Sequence, residues 1–119
     1  MQILIIEDDR STRELLKYYL CDHLMHRDCE TASSVSKGVE MVTGKHYDLI
    51  LLDLWLDGEI STPIIARARE LYPNNPPFIC LLTAASGIER IATQFKPDSF
   101  IQKPFALEKI EELVSFHSH

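Results

Sequence analysis

Positive charge is in short supply in this sequence. Twelve Lys and Arg residues stand against eighteen Asp and Glu, for a net charge of -6 at pH 7. Proteins that hold nucleic acid present a basic face, and so do proteins drawn to an anionic membrane surface. Neither partner is expected here. Long apolar runs are lacking too. The longest, "LILLDLWL" at 49–56, is interrupted by Asp53 and falls well short of the ~20 residues of a membrane helix. The chain opens directly into a short apolar run with no basic leader, so no signal peptide is expected. Cysteine is sparse. Cys21, Cys29 and Cys80 are odd in number and widely spaced, which suits neither a metal-ligand set nor a disulfide framework. Reduced, buried thiols in a cytoplasmic protein are expected. Internal repeats, low-complexity tracts and long linkers are missing, and "YPNNPP" at 72–77 reads as a loop. Residues 1–119 are therefore read as a single domain, large enough for one hydrophobic core.

Against those absences, four apolar runs stand out: Ile3–Ile6, Leu49–Leu52, Phe78–Leu82 and Phe100–Ile101. The first three are continuous rather than alternating, as in parallel strands covered on both faces by helices. A weaker strand fits "HRDCETA" at 26–32. Helical patterns lie between the runs. Ser11 and Glu14 read as a capping box, followed by Leu15, Leu16, Tyr19, Leu20 and Leu24 at helical spacing. A second helix starts at Ser33 or Ser34, carries Val35, Val39 and Val42, and stops at Gly44. A third opens at Thr62-Pro63 and ends before Pro73. A weaker one covers 86–95, and a last one follows Pro104 with Leu107, Ile110, Leu113 and Val114 on one face. Five strands alternating with five helices predict an α/β fold, a doubly wound five-stranded parallel sheet with flanking helices.

In such sheets ligands sit beyond the carboxyl ends of the strands. The first strand delivers Glu7 and Asp8 there, with Asp9 just beyond; the third delivers Asp53, the fourth Thr83, and the fifth Lys103 followed by Pro104. Any one terminal Asp is commonly a turn or cap residue. The conjunction weighs more, because three carboxylates at one rim raise one another's pKa values and a divalent cation relieves the repulsion. Mg²⁺ prefers hard oxygen ligands and suits this set; the Cys or His cluster that zinc would need is missing. Lys103 and Thr83 suit a phosphoryl group, as a point charge and a hydroxyl donor. An Asp in such a place can attack phosphorus and become an aspartyl-phosphate.

Together, "ILIIEDD", "DLILLDLWLDG", "ICLLTA" and "FIQKPF", in that order across nearly the whole chain, resemble the response-regulator receiver domains of two-component signalling. The resemblance implies the CheY-like, flavodoxin-like receiver fold and a phospho-accepting role rather than enzymatic turnover. Asp53 would be the phosphorylated residue. Asp8 would ligate Mg²⁺ directly, Glu7 through water, and Trp55 through its backbone carbonyl. Asp9 would be a loop acid outside the site. Thr83 and Lys103 would hold the phosphoryl group, Pro104 would fix the following turn, often through a cis bond, and Phe100 would be the switch aromatic. Phosphorylation would draw Thr83 inward and let Phe100 rotate, altering the surface near the fourth helix, fifth strand and fifth helix.

The implied partners are a sensor histidine kinase or a histidine phosphotransfer protein, then a downstream protein, with a phosphorylation-dependent dimer as a further option. Some positions depart from the family pattern: Asp57 where Pro is common, Ser61 where Gly is common, and a short stretch between Thr83 and Lys103. Bulky Trp55 and apolar Ala85 offer no group to orient a water, which predicts slow autodephosphorylation. Trp55 would either anchor a partner or pack over its loop. The five His residues and the acids Glu108, Glu111 and Glu112 read as solvated surface. A receiver-like module that binds partners without phosphorylation is the alternative. A phosphate hydrolase would need an acid two residues after Asp53, where Trp55 stands.

Overall fold

The computed structural model describes residues 1–25, 28–84 and 88–117. Five strands form one parallel sheet: β1 (Ile3–Ile6), β2 (Cys29–Ala32), β3 (Leu49–Asp53), β6 (Phe78–Thr83) and β7 (Ser99–Gln102), in the order β2-β1-β3-β6-β7. Two further strands, β4 (Trp55–Leu56) and β5 (Glu59–Ile60), pair antiparallel as a short hairpin after β3. The helices are α1 (Arg10–Tyr18), α2 (Val35–Gly44), α3 (Thr62–Leu71), α4 (Ile88–Phe95) and α5 (Leu107–His117). The predicted doubly wound sheet is therefore present, with the hairpin as an addition. Among the described residues no helix is long and apolar enough to cross a membrane.

The continuous apolar runs fill both faces of the sheet. Ile3, Ile5, Leu49, Leu51, Cys80 and Leu82 point to the side covered by Leu16 and Leu20 and by Ile110 and Val114 of α5. Leu4, Ile6, Ile50, Leu52, Ile79 and Leu81 point to the other, against Val42 of α2 and Ile64, Ile65 and Ala68 of α3. All four β1 side chains are fully buried, each contributing roughly 1.5–3 kcal/mol of apolar burial.

Several local expectations change. Helix α1 is capped by Asp9, not Ser11: its carboxylate accepts from the Thr12 N–H at 2.9 Å and from the Thr12 hydroxyl at 2.6 Å. Glu14 turns to Arg10 instead of reaching back to a cap. Leu15, expected in the core, is half exposed, because burial follows Leu16 and then Leu20. Beyond Tyr18 the helix widens into a π-helical turn, Tyr19–His23, closed by the Leu24 N–H on the Tyr19 carbonyl at 2.9 Å. The strand expected over 26–32 is confined to Cys29–Ala32, and His26 and Arg27 lie outside the described residues. His46 is not simple surface: it meets the Asn75 carbonyl at 2.9 Å and lies edge-on to Tyr72. Glu111 is not a free solvated acid, since it accepts from the Tyr19 hydroxyl at 2.9 Å.

Helix α2 passes close to the sheet at Gly38. A Cβ there would come within 2.5 Å of Ile64 Cδ1, 3.1 Å of Ile64 Cγ1 and 3.2 Å of Ile6 Cδ1. Ile64 is fully buried, so its side chain has little room to yield. Overpacking costs about 1–3 kcal/mol and outweighs the ~1 kcal/mol that Ala gains over Gly in a helix. Gly38→Ala is expected to lower stability by about 1 kcal/mol in urea unfolding, with an unchanged m-value.

Candidate functional site

The strand order reverses direction between β1 and β3, so the carboxyl ends of these two strands flank a crevice. Glu7 follows β1 and continues its ladder, its N–H donating to the Ala32 carbonyl at 3.1 Å. Asp53 ends β3. Lys103 follows β7, its N–H donating to the Thr83 carbonyl at 2.8 Å. The Lys103 ammonium reaches back into the crevice and donates to both Glu7 Oε2, at 2.6 Å, and Asp53 Oδ2, at 2.9 Å. Glu7 is 1% exposed and Asp53 9%. One carboxylate oxygen from each of Glu7, Asp8 and Asp53 lies within 4.8 Å of the others. The peptide bond from Lys103 to Pro104 is cis.

Backbone donors fix the carboxylates. The Trp55 N–H donates to Asp53 Oδ1 at 3.2 Å, the Asp9 N–H to Glu7 Oε1 at 3.1 Å, and the Asp57 N–H to Asp8 Oδ2 at 2.9 Å. From one turn into α1, the Arg13 guanidinium donates to the carbonyls of Glu7 and Asp8, at 2.9 and 3.3 Å. Arg13 thus clamps the acidic loop to the helix that follows it. Sequence reasoning missed Arg13, which no spacing rule singles out. It also missed the Asp57 amide, although the Asp57-Gly58 dipeptide is a hairpin signal. Both residues have positive φ, 50° and 81°, as such a turn requires.

The acids respond differently to this setting. Burial pushes the Glu7 carboxyl up to about 7, even against the hydrogen bonds from Lys103 and Asp9. Burial also acts upward on Asp8, but hydrogen bonds led by the Asp57 N–H outweigh it and hold Asp8 below its ordinary value. Burial acts downward on the Lys103 ammonium, and its hydrogen bonds to Glu7 and Asp53 more than compensate. Lys103 therefore keeps its charge between two acids, one of which takes up a proton close to neutrality.

The remaining expected residues take separate places. Thr83 ends β6 and is 2% exposed. Phe100 lies on β7 with 54% of its surface exposed. The Trp55 ring is also near half exposed, and its backbone meets Asp53 through the N–H. Asp9, expected to stand apart, serves as the α1 cap while its N–H braces Glu7. Ala85 lies outside the described residues. The arrangement gathers three hard oxygen donors around one charged ammonium. Its chemistry suits a hard divalent cation and a phosphoryl group in the space they enclose.

Comparisons with known proteins point the same way. The family model described as "Response regulator receiver domain" matches residues 3–115. The chain is 28% identical over 119 residues to Sensory transduction protein LytR of Staphylococcus haemolyticus, covering 100% of this chain and 46% of that protein. It is 29% identical over 118 residues to Transcriptional regulatory protein PmrA of Pectobacterium parmentieri, covering 96% and 50%. The chain thus spans half or less of the length of these relatives. Among solved structures, an N-terminal domain from Wolinella succinogenes superposes with a TM-score of 0.85 at 21% identity, covering 100% of this chain and 94% of that one. A CheY-like receiver domain from Methylobacillus flagellatus gives 0.80 at 19% identity, covering 98% of each. These structures share the fold.

The Glu7 shift has a consequence for stability. Its ordinary value is 4.5 and its folded value about 7. Between those values the folded chain holds a proton that the unfolded chain has released. The resulting stability is fully present below 4.5 and is lost as pH rises through about 7. In a chelator, wild type is expected to lose ~1–3 kcal/mol more than Glu7→Gln between about pH 5 and about pH 8, read from urea midpoints. Parallel pH profiles for the two proteins would refute this account of Glu7.

Proposed function

Because the chain belongs to the response-regulator receiver family, we propose that it accepts a phosphoryl group on Asp53 from a histidine kinase or a histidine phosphotransfer protein. The observation that carries this reading is the Lys103 ammonium set between Glu7 and Asp53, at 2.6 and 2.9 Å. Asp53 stands at the strand end facing the crevice, with Oδ1 held by the Trp55 N–H and Oδ2 turned to Lys103. In transfer, a carboxylate oxygen of Asp53 forms the new bond to phosphorus while the bond from phosphorus to the donor imidazole nitrogen breaks.

Receiver domains bind Mg²⁺ at an acidic pocket, and the three clustered carboxylates fit that ion. Glu7, Asp8, Asp53 and the Trp55 carbonyl would hold it, and its chemistry there is neutralisation of charge on the phosphoryl oxygens. Lys103 supplies the second positive charge. It is already in place and needs to shift only from carboxylate to phosphoryl oxygen. The phosphoryl group adds a charge of about -1.5 to -2 and three acceptor oxygens. The Thr83 hydroxyl moves to one of them, and Phe100, now exposed at 54%, turns into the space that Thr83 leaves. The surface near α4, β7 and α5 then differs between the two states, which is what a downstream protein or a second receiver would read.

Asp53→Asn removes the acceptor oxygen and is expected to abolish labelling by acetyl phosphate with Mg²⁺, read as the phosphoryl mass increment on the intact chain. Unchanged labelling would overturn the assignment. Loss of the phosphoryl group is slow in this reading, because the bulky Trp55 beside Asp53 carries no group that orients a water for attack. A pulse-chase of the phosphorylated chain is expected to give a half-life of minutes or longer; decay within seconds would contradict it.

A further inference from the structure

Arg13 stands at the end of the first turn of α1 and is half-buried. A helix dipole favours acids in that turn and disfavours cations, yet α1 carries no acid there. The Arg13 side chain instead turns back along the chain. One nitrogen, Nη1, donates to the Glu7 carbonyl at 2.9 Å and to the Asp8 carbonyl at 3.3 Å.

These two carbonyls belong to the peptide units on either side of the Asp8 Cα. A peptide unit is planar, so holding its oxygen restrains its whole plane. With both planes restrained, the two backbone angles of Asp8 are set, and with them the direction of its Cβ. The carboxylate beyond is met by the Asp57 N–H at 2.9 Å. The second unit also carries the Asp9 N–H, which donates to Glu7 Oε1 at 3.1 Å. That unit therefore accepts from Arg13 at one end and holds Glu7 at the other, and hydrogen bonds chained in this way strengthen one another. A single nitrogen governs the aim of two of the three clustered acids, Glu7, Asp8 and Asp53. Lys103 and the Asp57 N–H act on carboxylates directly; Arg13 acts through the main chain behind them.

We propose that Arg13 is a positioning residue for divalent-cation binding, aiming Asp8 and Glu7 through the two peptide units that flank Asp8. The inference rests on the reading that Mg²⁺ binds among Glu7, Asp8 and Asp53. Charge and position act in opposite directions here. Arg13 is a cation near a cation site, so its removal favours binding by Coulomb's law. Its removal also frees the acidic loop, so that binding must order Asp8 and Glu7 at the same time. Ordinary salt screens the first effect, whereas hydrogen bonds behind the ligands typically set about 10–100-fold in metal affinity. Position prevails, and the sign of the change reports it.

The test uses amide NMR of the whole chain, with Mg²⁺ as the added ion and no phosphodonor. Arg13→Met keeps an apolar stem and removes the donors. It is expected to weaken Mg²⁺ binding about tenfold, read from the shift of the Trp55 amide, which donates to Asp53. In chelator, its Asp9 amide is expected to exchange with solvent about tenfold faster than in wild type, with the amides inside β1 unchanged. Arg13→Lys keeps one nitrogen that can donate to both carbonyls and is expected to bind Mg²⁺ within about threefold of wild type. Unchanged or tighter binding by Arg13→Met would overturn the proposal. So would unchanged Asp9 exchange, an equal acceleration inside β1, or Arg13→Lys as weak as Arg13→Met. Wild type that binds no Mg²⁺ would bring down the reading of the site, and this inference with it.

Discussion

One ammonium between two buried carboxylates organises this molecule. Glu7 and Asp53 are carried by neighbouring strands and are almost entirely withdrawn from water. Placing two such acids side by side costs several kcal/mol without a counter-charge. Lys103 supplies that charge from a third strand, across the width of the sheet, and satisfies both acids through one nitrogen. A buried ion pair of this kind is poor as a source of net stability, because desolvation consumes most of its Coulomb energy. Its value lies in orientation. It registers the carboxyl ends of β1, β3 and β7 against one another and keeps the crevice between them polar and preformed.

The surrounding structure can be read as support for that nitrogen. The parallel sheet sends every strand end to the same rim, and the two apolar layers that bury its faces leave this rim as the place where polar groups gather. Arg13 and the Asp9 cap hold the acidic loop from the side of α1. The hairpin of β4 and β5 closes over the other side, sending the Trp55 amide to Asp53 and the Asp57 amide to Asp8. Each acid thus has its own backbone donor, which lets three negative side chains share a small volume.

Much of this was legible in the chain. Continuous rather than alternating apolar runs declared a doubly covered sheet, and the strand-end rule then collected Glu7, Asp8, Asp53, Thr83 and Lys103 without any reference to structure. Legibility ended where position depends on geometry finer than periodicity. Ser11 and Glu14 satisfy the capping-box pattern as well as Asp9 and Thr12 satisfy a simple cap, and only the actual start of α1 at Arg10 decides between them. Leu15 and Leu16 are equally apolar, and a rotation of one residue about the helix axis separates the exposed one from the buried one. The π turn at Tyr19–His23 leaves no mark in composition, so the widening of the helix beyond Tyr18 was hidden behind apolar residues at ordinary helical spacing. Arg13 was invisible because its partners are backbone carbonyls, which every residue possesses.

The support given to Asp8 comes from the main chain of Asp57, and the Asp57 side chain is itself exposed. What this corner demands of its occupant is therefore a backbone angle, φ near 50°, and not a carboxylate. Asn and Gly meet that demand and β-branched residues do not. In this chain a replacement that keeps both the N–H and this backbone angle keeps the contact to Asp8, whatever its outward side chain. A site can in this way keep its inner electrostatics constant while the surface a few ångströms away is rewritten for a new neighbour.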